Sequence, residues 1–202
     1  SFDAFKADLA KVSRIKIENA PPKLLDQSSK AAFLEQLKQA GGVFFTGGDQ
    51  NRIVEVLRQD ASLLAALKEK YQSGGAVFGG TSAGAAVMTA PMITGEGDFT
   101  VIDGAKVETK TGLGLLPDAI VDQHFIKRRR QNRLLGLILD NPRLVGIGID
   151  ENTAFAVSDN RFGEVLGESR VMIFDARKRA DFVRLFLLKN GDRFDLKKRR
   201  KL

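Results

Sequence analysis

Ala76-Val77-Phe78-Gly79-Gly80-Thr81-Ser82-Ala83-Gly84-Ala85-Ala86 decides how this chain is read. A short apolar strand runs without a spacer into Gly-x-Ser-x-Gly, and small helix-compatible residues follow at once. Glycines on both sides let the backbone turn sharply, so the pattern predicts a serine raised at the junction of a strand and a helix. There the Ala83 N–H, at the positive helix terminus, can face a developing oxyanion. The plain alternative is a Gly-rich turn. The strand before it and the helix after it weigh against that alternative.

Working outward, the same grammar recurs. Val43-Phe44-Phe45-Thr46 reads as a buried strand running into Gly47-Gly48-Asp49-Gln50. Ala119-Ile120-Val121 leads into Asp122-Gln123-His124-Phe125, and Leu144 to Ile149 ends at Asp150-Glu151-Asn152. Helical spacing marks Phe2 to Leu9, Ser28 to Gln39 with a Ser cap, Asn51 to Arg58, Ser62 to Gln72, and Lys127 to Leu139. Gly41-Gly42, Gly74-Gly75 and Asn141-Pro142 supply the helix stops. Arg14 to Ile17 reads as a further short strand, and the Gly- and Thr-rich Met92 to Lys110 as a hairpin or arm. Ala154 to Val157, Glu164 to Leu166 and Val171 to Phe174 predict an antiparallel meander, and Val183 to Leu188 a last strand before an Asn190-Gly191 turn.

Strands alternating with helices indicate an α/β fold with a mostly parallel sheet and antiparallel strands at the C-terminal end. In an open parallel sheet the carboxyl ends of the strands share one edge, where ligands bind. Four polar clusters, at Gly48-Asp49-Gln50, Thr81-Ser82, Asp122-Gln123-His124 and Asp150-Glu151-Asn152, are therefore expected to converge on one crevice.

Composition narrows the chemistry. The 202 residues suit a single domain over 1–202, and 43% hydrophobic with 28% charged residues excludes wholesale disorder. Without Cys, no disulfide, thiolate nucleophile or Cys-based metal centre can form, and one His excludes a multi-histidine metal site. No apolar run approaches membrane-spanning length and the opening residues lack a secretory apolar region, which points to the cytoplasm, although a removed leader would leave no trace. The net charge of +7 is concentrated in Lys127-Arg128-Arg129-Arg130 and in the end of the chain, where a basic tail over 196–202 reads as solvated or frayed. With one Tyr and no Trp there is no aromatic platform for bases, so nucleic acid is not the expected partner.

A serine hydroxyl needs a base, and His124 is the only histidine. A lone His is commonly structural, but this one follows a strand on the edge expected to carry Ser82. Glu151, also at a strand end, is the favoured carboxylate to orient the imidazole. Glu96, Asp98 and Asp103 on the arm remain alternatives, and Asp122 is too near His124 in sequence to reach its ring easily. Gly47-Gly48 lacks the Lys-Ser/Thr of a phosphate loop. The Gly48 N–H instead suits a second oxyanion donor, with Gln50 lining the pocket. Arg128, Arg130 and Arg133 form a basic face that could be merely solvated, yet Arg128 lies about one turn beyond the base, within reach of a bound carboxylate.

Taken together, Phe44-Phe45-Thr46-Gly47-Gly48-Asp49-Gln50, Gly80-Thr81-Ser82-Ala83-Gly84-Ala85, Gly112-Leu113-Gly114-Leu115-Leu116, Asp122-Gln123-His124-Phe125 and Gly146-Ile147-Gly148-Ile149-Asp150-Glu151-Asn152-Thr153-Ala154 resemble the cyanophycinase branch of the serine peptidase family that also contains aspartyl dipeptidase. The resemblance implies a flavodoxin-like α/β sandwich, commonly dimeric and needing no metal or cofactor. It implies hydrolysis of cyanophycin, a polyaspartate backbone with Arg on each β-carboxyl, to β-Asp-Arg dipeptides. Ser82 would be the nucleophile, His124 the base and Glu151 its partner. Gln50, Asp122, Gln123, Arg128, Arg130 and Arg133 would contact substrate. An aspartyl or isoaspartyl dipeptidase, or a non-catalytic truncated relative, are the other readings. Members of the family carry a further strand and a Gly-Gly turn ahead of the segment matching Phe2. A longer chain or another copy would have to supply that strand here, because its loss exposes apolar sheet edges.

Overall fold

Aspartate side chains start three of the helices in the first part of the molecule. In α2 (Gln27–Gln39) the Asp26 carboxylate accepts from Ser29 N at 2.7 Å. Asp49 does the same for α3 (Gln50–Arg58) through Asn51 N, and Asp60 for α4 (Ala61–Gln72) through Ser62 N. Each carboxylate accepts a first-turn N–H, and its charge also meets the positive helix terminus. The Ser cap expected for α2 is thereby corrected: Ser28 Oγ donates to the Asp26 carboxylate instead. The computed structural model describes residues 2–20, 26–98, 100–179 and 181–202. They group into two units, 1–87 and 88–202.

In the first unit, α1 (Phe2–Ala10) buries no residue, but its Phe5 ring stacks on Phe44 with centroids 4.1 Å apart. Phe33 and Leu37 of α2, Val54 and Leu57 of α3, and Leu63 and Leu67 of α4 form the core. Strands β1 (Gly42–Phe45) and β2 (Val77–Gly80) pair in parallel, with Phe45 opposite Gly80. Their carboxyl ends therefore lie side by side, and α5 (Ala83–Ala86) starts immediately beyond. Two expectations are corrected in this unit. The strand at 43–46 is half-exposed rather than buried, with Phe44 40% exposed, because among the described residues β1 has a ladder partner only in β2. Arg14 to Ile17 forms no strand; it has no ladder partner among the described residues and Ile15 is exposed.

The second unit begins with the hairpin of β3 (Met92–Gly97) and β4 (Val107–Lys110), as expected, its connection including residue 99 outside the described residues. A four-stranded sheet has β5 (Ala119–Gln123) parallel to β6 (Val145–Ile149), then β9 (Val171–Asp175) and β10 (Arg184–Leu188), both antiparallel. Helix α6 (Gln131–Asp140) buries Leu134, Leu137 and Ile138, at the i, i+3, i+4 spacing of one helix face, in a core shared with Ile93, Ile120, Phe125 and Phe174. Each such side chain contributes about 1.5–3 kcal/mol on burial. A second, antiparallel sheet contains β7 (Thr153–Ser158), β8 (Phe162–Gly167), β11 (Arg193–Asp195) and β12 (Arg200–Lys201).

Three expectations are corrected here. The meander holds for β7 and β8, but β9 joins β6 instead of β8. Its Val171, Ile173 and Phe174 are all buried, and a run without alternation suits a strand inside a sheet covered on both faces. The helix expected from Lys127 starts at Gln131, because Arg129 has φ 53° and Arg130 has ψ 11°, so residues 124–130 form successive turns. The chain end is not frayed. It pairs as β12, Lys201 binds Asp192 at 2.7 Å, and Arg199 binds the buried Asp175 at 2.9 Å. The α/β class stands, with a parallel ladder among the described residues of each unit. Among the described residues no helix is long and apolar enough to cross a membrane.

Candidate active site

Ser82 sits at φ 53°, ψ −117°, a backbone conformation that costs a side-chain-bearing residue on the order of 1–3 kcal/mol and persists only where its surroundings fix it. Thr81 N donates to Phe45 O at 3.0 Å, tying the turn to β1. Ala85 N and Ala86 N both donate to Ser82 O, which starts α5 at once. Both glycines of the motif are needed for close approach. A Cβ on Gly80 would overlap the Gly84 carbonyl, and one on Gly84 would overlap the Phe45 carbonyl. The parallel β1–β2 pair also places the 46–49 loop beside the serine: a Cβ on Gly47 would meet Ser82 Cβ at 3.4 Å and Oγ at 4.0 Å. The expected oxyanion donors stand at the two ends of this arrangement. Gly48, next to Gly47, has φ 139°, and Ala83 is the first residue of α5. Gln50 opens α3 and is 7% exposed.

In the second unit, parallel pairing sets Gln123 opposite Ile149, so the residues that follow β5 and β6 are neighbours. His124 Nδ1 lies 3.0 Å from Glu151 Oε1. A carboxylate only accepts, so Nδ1 carries the hydrogen and Nε2 is left as the basic nitrogen. Two of the alternatives are engaged elsewhere, Asp98 accepting from Thr100 N and Oγ1 and Asp103 from Ala105 N, and Glu96 is exposed on β3.

The His124 turn is anchored through its neighbours. Phe125 is fully buried, its N–H donates to Ile149 O, and its ring lies over Gly148, where a Cβ would enter the ring. Asp150 Oδ1 accepts from Ile126 N at 3.1 Å and Lys127 N at 3.0 Å, while Oδ2 accepts from Ser169 Oγ at 2.7 Å. Burial alone would raise the Asp150 pKa, but the hydrogen bonds from Lys127, Ser169, Glu151 and Ile126 outweigh it and hold the carboxyl below the usual range. In the sequence Asp150 shows only as a member of a polar cluster at a strand end.

The residues expected at the substrate divide. Asp122 and Arg133 are 1% and 2% exposed and form a two-pronged pair, with Nε to Oδ2 at 2.7 Å and Nη2 to Oδ1. Their charges are turned on each other in the interior instead of being presented at the surface. Arg130 donates from Nη1 to Gln123 O at 2.8 Å and keeps its side chain 15% exposed; Arg128 is exposed and Gln123 half-buried.

Residues 3–165 match peptidase family S51. A cyanophycinase of Trichormus variabilis is 36% identical over 189 residues, covering 86% of this chain and 63% of that protein. One from Geminocystis herdmanii is 34% identical over 186 residues, 85% of this chain and 68% of its own length. The chain thus spans less than two thirds of the Trichormus relative. The crystal structure of a peptidase from an acI-B1 Actinobacterium superposes with a TM-score of 0.69 over 96% of this chain and 76% of that one, at 24% identity, which shows a shared fold. A family match this long, running through the serine turn, the histidine turn and Glu151, means that the chain belongs to peptidase family S51.

Proposed function

We propose that this chain is a cytoplasmic, dimeric serine-type hydrolase, one domain over 1–202, that degrades cyanophycin to β-Asp-Arg dipeptides through an acyl-enzyme. The observation that carries the chemistry is the sole imidazole held through Nδ1 by Glu151, which leaves Nε2 to take a proton. The strained Ser82 turn supports the nucleophile, the S51 match and the cyanophycinase relatives support the substrate, and exposed Leu185 and Leu187 on the edge strand β10 suit a second copy.

In this reading Ser82 Oγ attacks an aspartyl carbonyl carbon of the backbone while its proton passes to His124 Nε2. The N–H groups of Ala83 and Gly48 hold the oxyanion. His124 then gives the proton to the leaving nitrogen, the C–N bond breaks, and an ester remains on Ser82. Water attacks that ester as His124 takes its proton, and the proton returns to Ser82 Oγ as the acid departs. Glu151 stabilises the imidazolium and stays ionised. Gln50, Gln123, Arg128 and Arg130 contact the polymer, with the Arg forks taking carboxylates. Asp122 and Arg133 support that surface from behind.

Incubation with insoluble cyanophycin, read by mass spectrometry, tests the proposal. The protein releases β-Asp-Arg and Ser82→Ala, equally folded, releases none. Equal release by Ser82→Ala removes the nucleophile assignment. Cleavage of Asp-X dipeptides without release from the polymer replaces the substrate with that of a dipeptidase.

A further inference from the structure

His124 has φ 50°, a backbone conformation unusual for a residue with a side chain, and the turns that follow it contain Arg129 at φ 53°. A segment with two such residues keeps one shape only if something outside it imposes that shape. On one side the imposing group is the buried Phe125 ring. On the other it is a single carboxylate: Asp150 Oδ1 collects the consecutive N–H groups of Ile126 and Lys127, just past the histidine. The same carboxylate accepts from Ser169 Oγ. Ser169 N in turn donates to Thr153 Oγ1 at 2.9 Å, and Thr153 Oγ1 donates to Glu151 O at 3.1 Å. One hydrogen-bonded chain therefore links the turn bearing the imidazole to the backbone of the carboxylate that orients it.

We infer that Asp150 is a positioning residue: with Ser169 and Thr153 it fixes the distance and alignment between His124 and Glu151, and through them the basic nitrogen. It touches neither substrate nor the reacting atoms. The effect on rate rests on the proposed function; the effect on the imidazole does not.

Because the chain has one histidine, its imidazole resonances are unambiguous by NMR. The Nδ1–H proton, hydrogen-bonded to Glu151, is expected as a separate downfield signal in the wild-type protein. In Asp150→Ala it shifts or broadens by exchange, and kcat on cyanophycin falls about 10- to 100-fold with KM within about twofold, the size of loss that follows a small misplacement of a reacting group. Asp150→Asn keeps an oxygen facing the two N–H donors and turns its amide toward Ser169 Oγ, so it recovers most of the signal and rate. Ser169→Ala, which removes one bond only, falls between them and carries the test if Asp150→Ala does not fold. An unchanged Nδ1–H signal and kcat in Asp150→Ala or, failing that variant, in Ser169→Ala overturns the inference. So does a lowered melting temperature with both of those readouts unmoved. If the wild-type protein releases nothing from cyanophycin, the proposed function falls while the NMR comparison still decides the role of Asp150.

Discussion

Gly84 is where the serine turn is most exposed to a single change, because a methyl group there would overlap the carbonyl carbon and oxygen of Phe45. Backbone is the least yielding neighbour a new Cβ can meet, so Gly84→Ala must push α5 off β1 or distort the turn. The expected loss is about 2–4 kcal/mol, in the range of overpacked sites. Gly41→Ala is the matched control. Nothing lies within 4 Å of its would-be Cβ and its φ is not positive, so the change is neutral or slightly stabilising. Urea melts of the two variants decide the point, and equal midpoints would refute the close approach. At this scale the sequence was most informative, since Gly-x-Ser-x-Gly encodes backbone geometry directly. Asp150 was illegible for the opposite reason. It binds backbone N–H groups, which every residue type presents, so its partners leave no trace in the residue pattern.

Between elements, the Asp122–Arg133 pair joins the end of β5 to the first turns of α6. Both side chains are buried, and removing one partner leaves the other charge uncompensated, at a cost of about 3–5 kcal/mol. Arg133→Met is expected to lose that much, and the double variant Asp122→Asn/Arg133→Met less than the sum of its single changes. A double-mutant cycle by urea denaturation measures this, and strict additivity would show that the pair does not act as a unit. In the sequence Arg133 looks like a surface residue because it continues the basic face of Arg128 and Arg130. Asp122 lies eleven residues earlier on a strand, and nothing local in the sequence ties the two. The start of α6 was misplaced for a related cause. Lys127 to Arg130 have good helix propensity, but Arg129 takes φ 53°, and the turn is held from outside by Asp150, just past the end of β6, which accepts from the Ile126 and Lys127 N–H groups.

For the molecule as a whole, the α/β class was legible because strand and helix periodicities alternate along the chain, whereas the choice of sheet for β9 and the fate of the basic end depend on partners far away in sequence. Those partners also decide how the molecule meets acid. Asp195 is buried and held down to about 2, first by the Arg161 guanidinium and then by the N–H groups of Lys198 and Lys197, against the effect of burial. Burial would raise Asp175, but Arg177 N, Arg199 and Arg184 outweigh it, so this carboxyl too is lowered, as Asp150 is. Part of the cationic excess that suggested a solvated tail is thus spent on interior carboxylates. A carboxyl with a depressed folded-state pKa binds fewer protons folded than unfolded between the two values, so its stabilisation is complete above the unfolded pKa, about 4, and is lost as pH falls through the folded one. The thermal midpoint is therefore expected to fall steeply between about pH 4 and pH 2. Asp195→Asn has no such proton to take up: it starts from a lower midpoint at neutral pH, loses less on acidification, and approaches the wild-type curve near pH 2. Circular dichroism melts across that range check the slope. Parallel curves for the two proteins would show that Asp195 does not govern the acid limb.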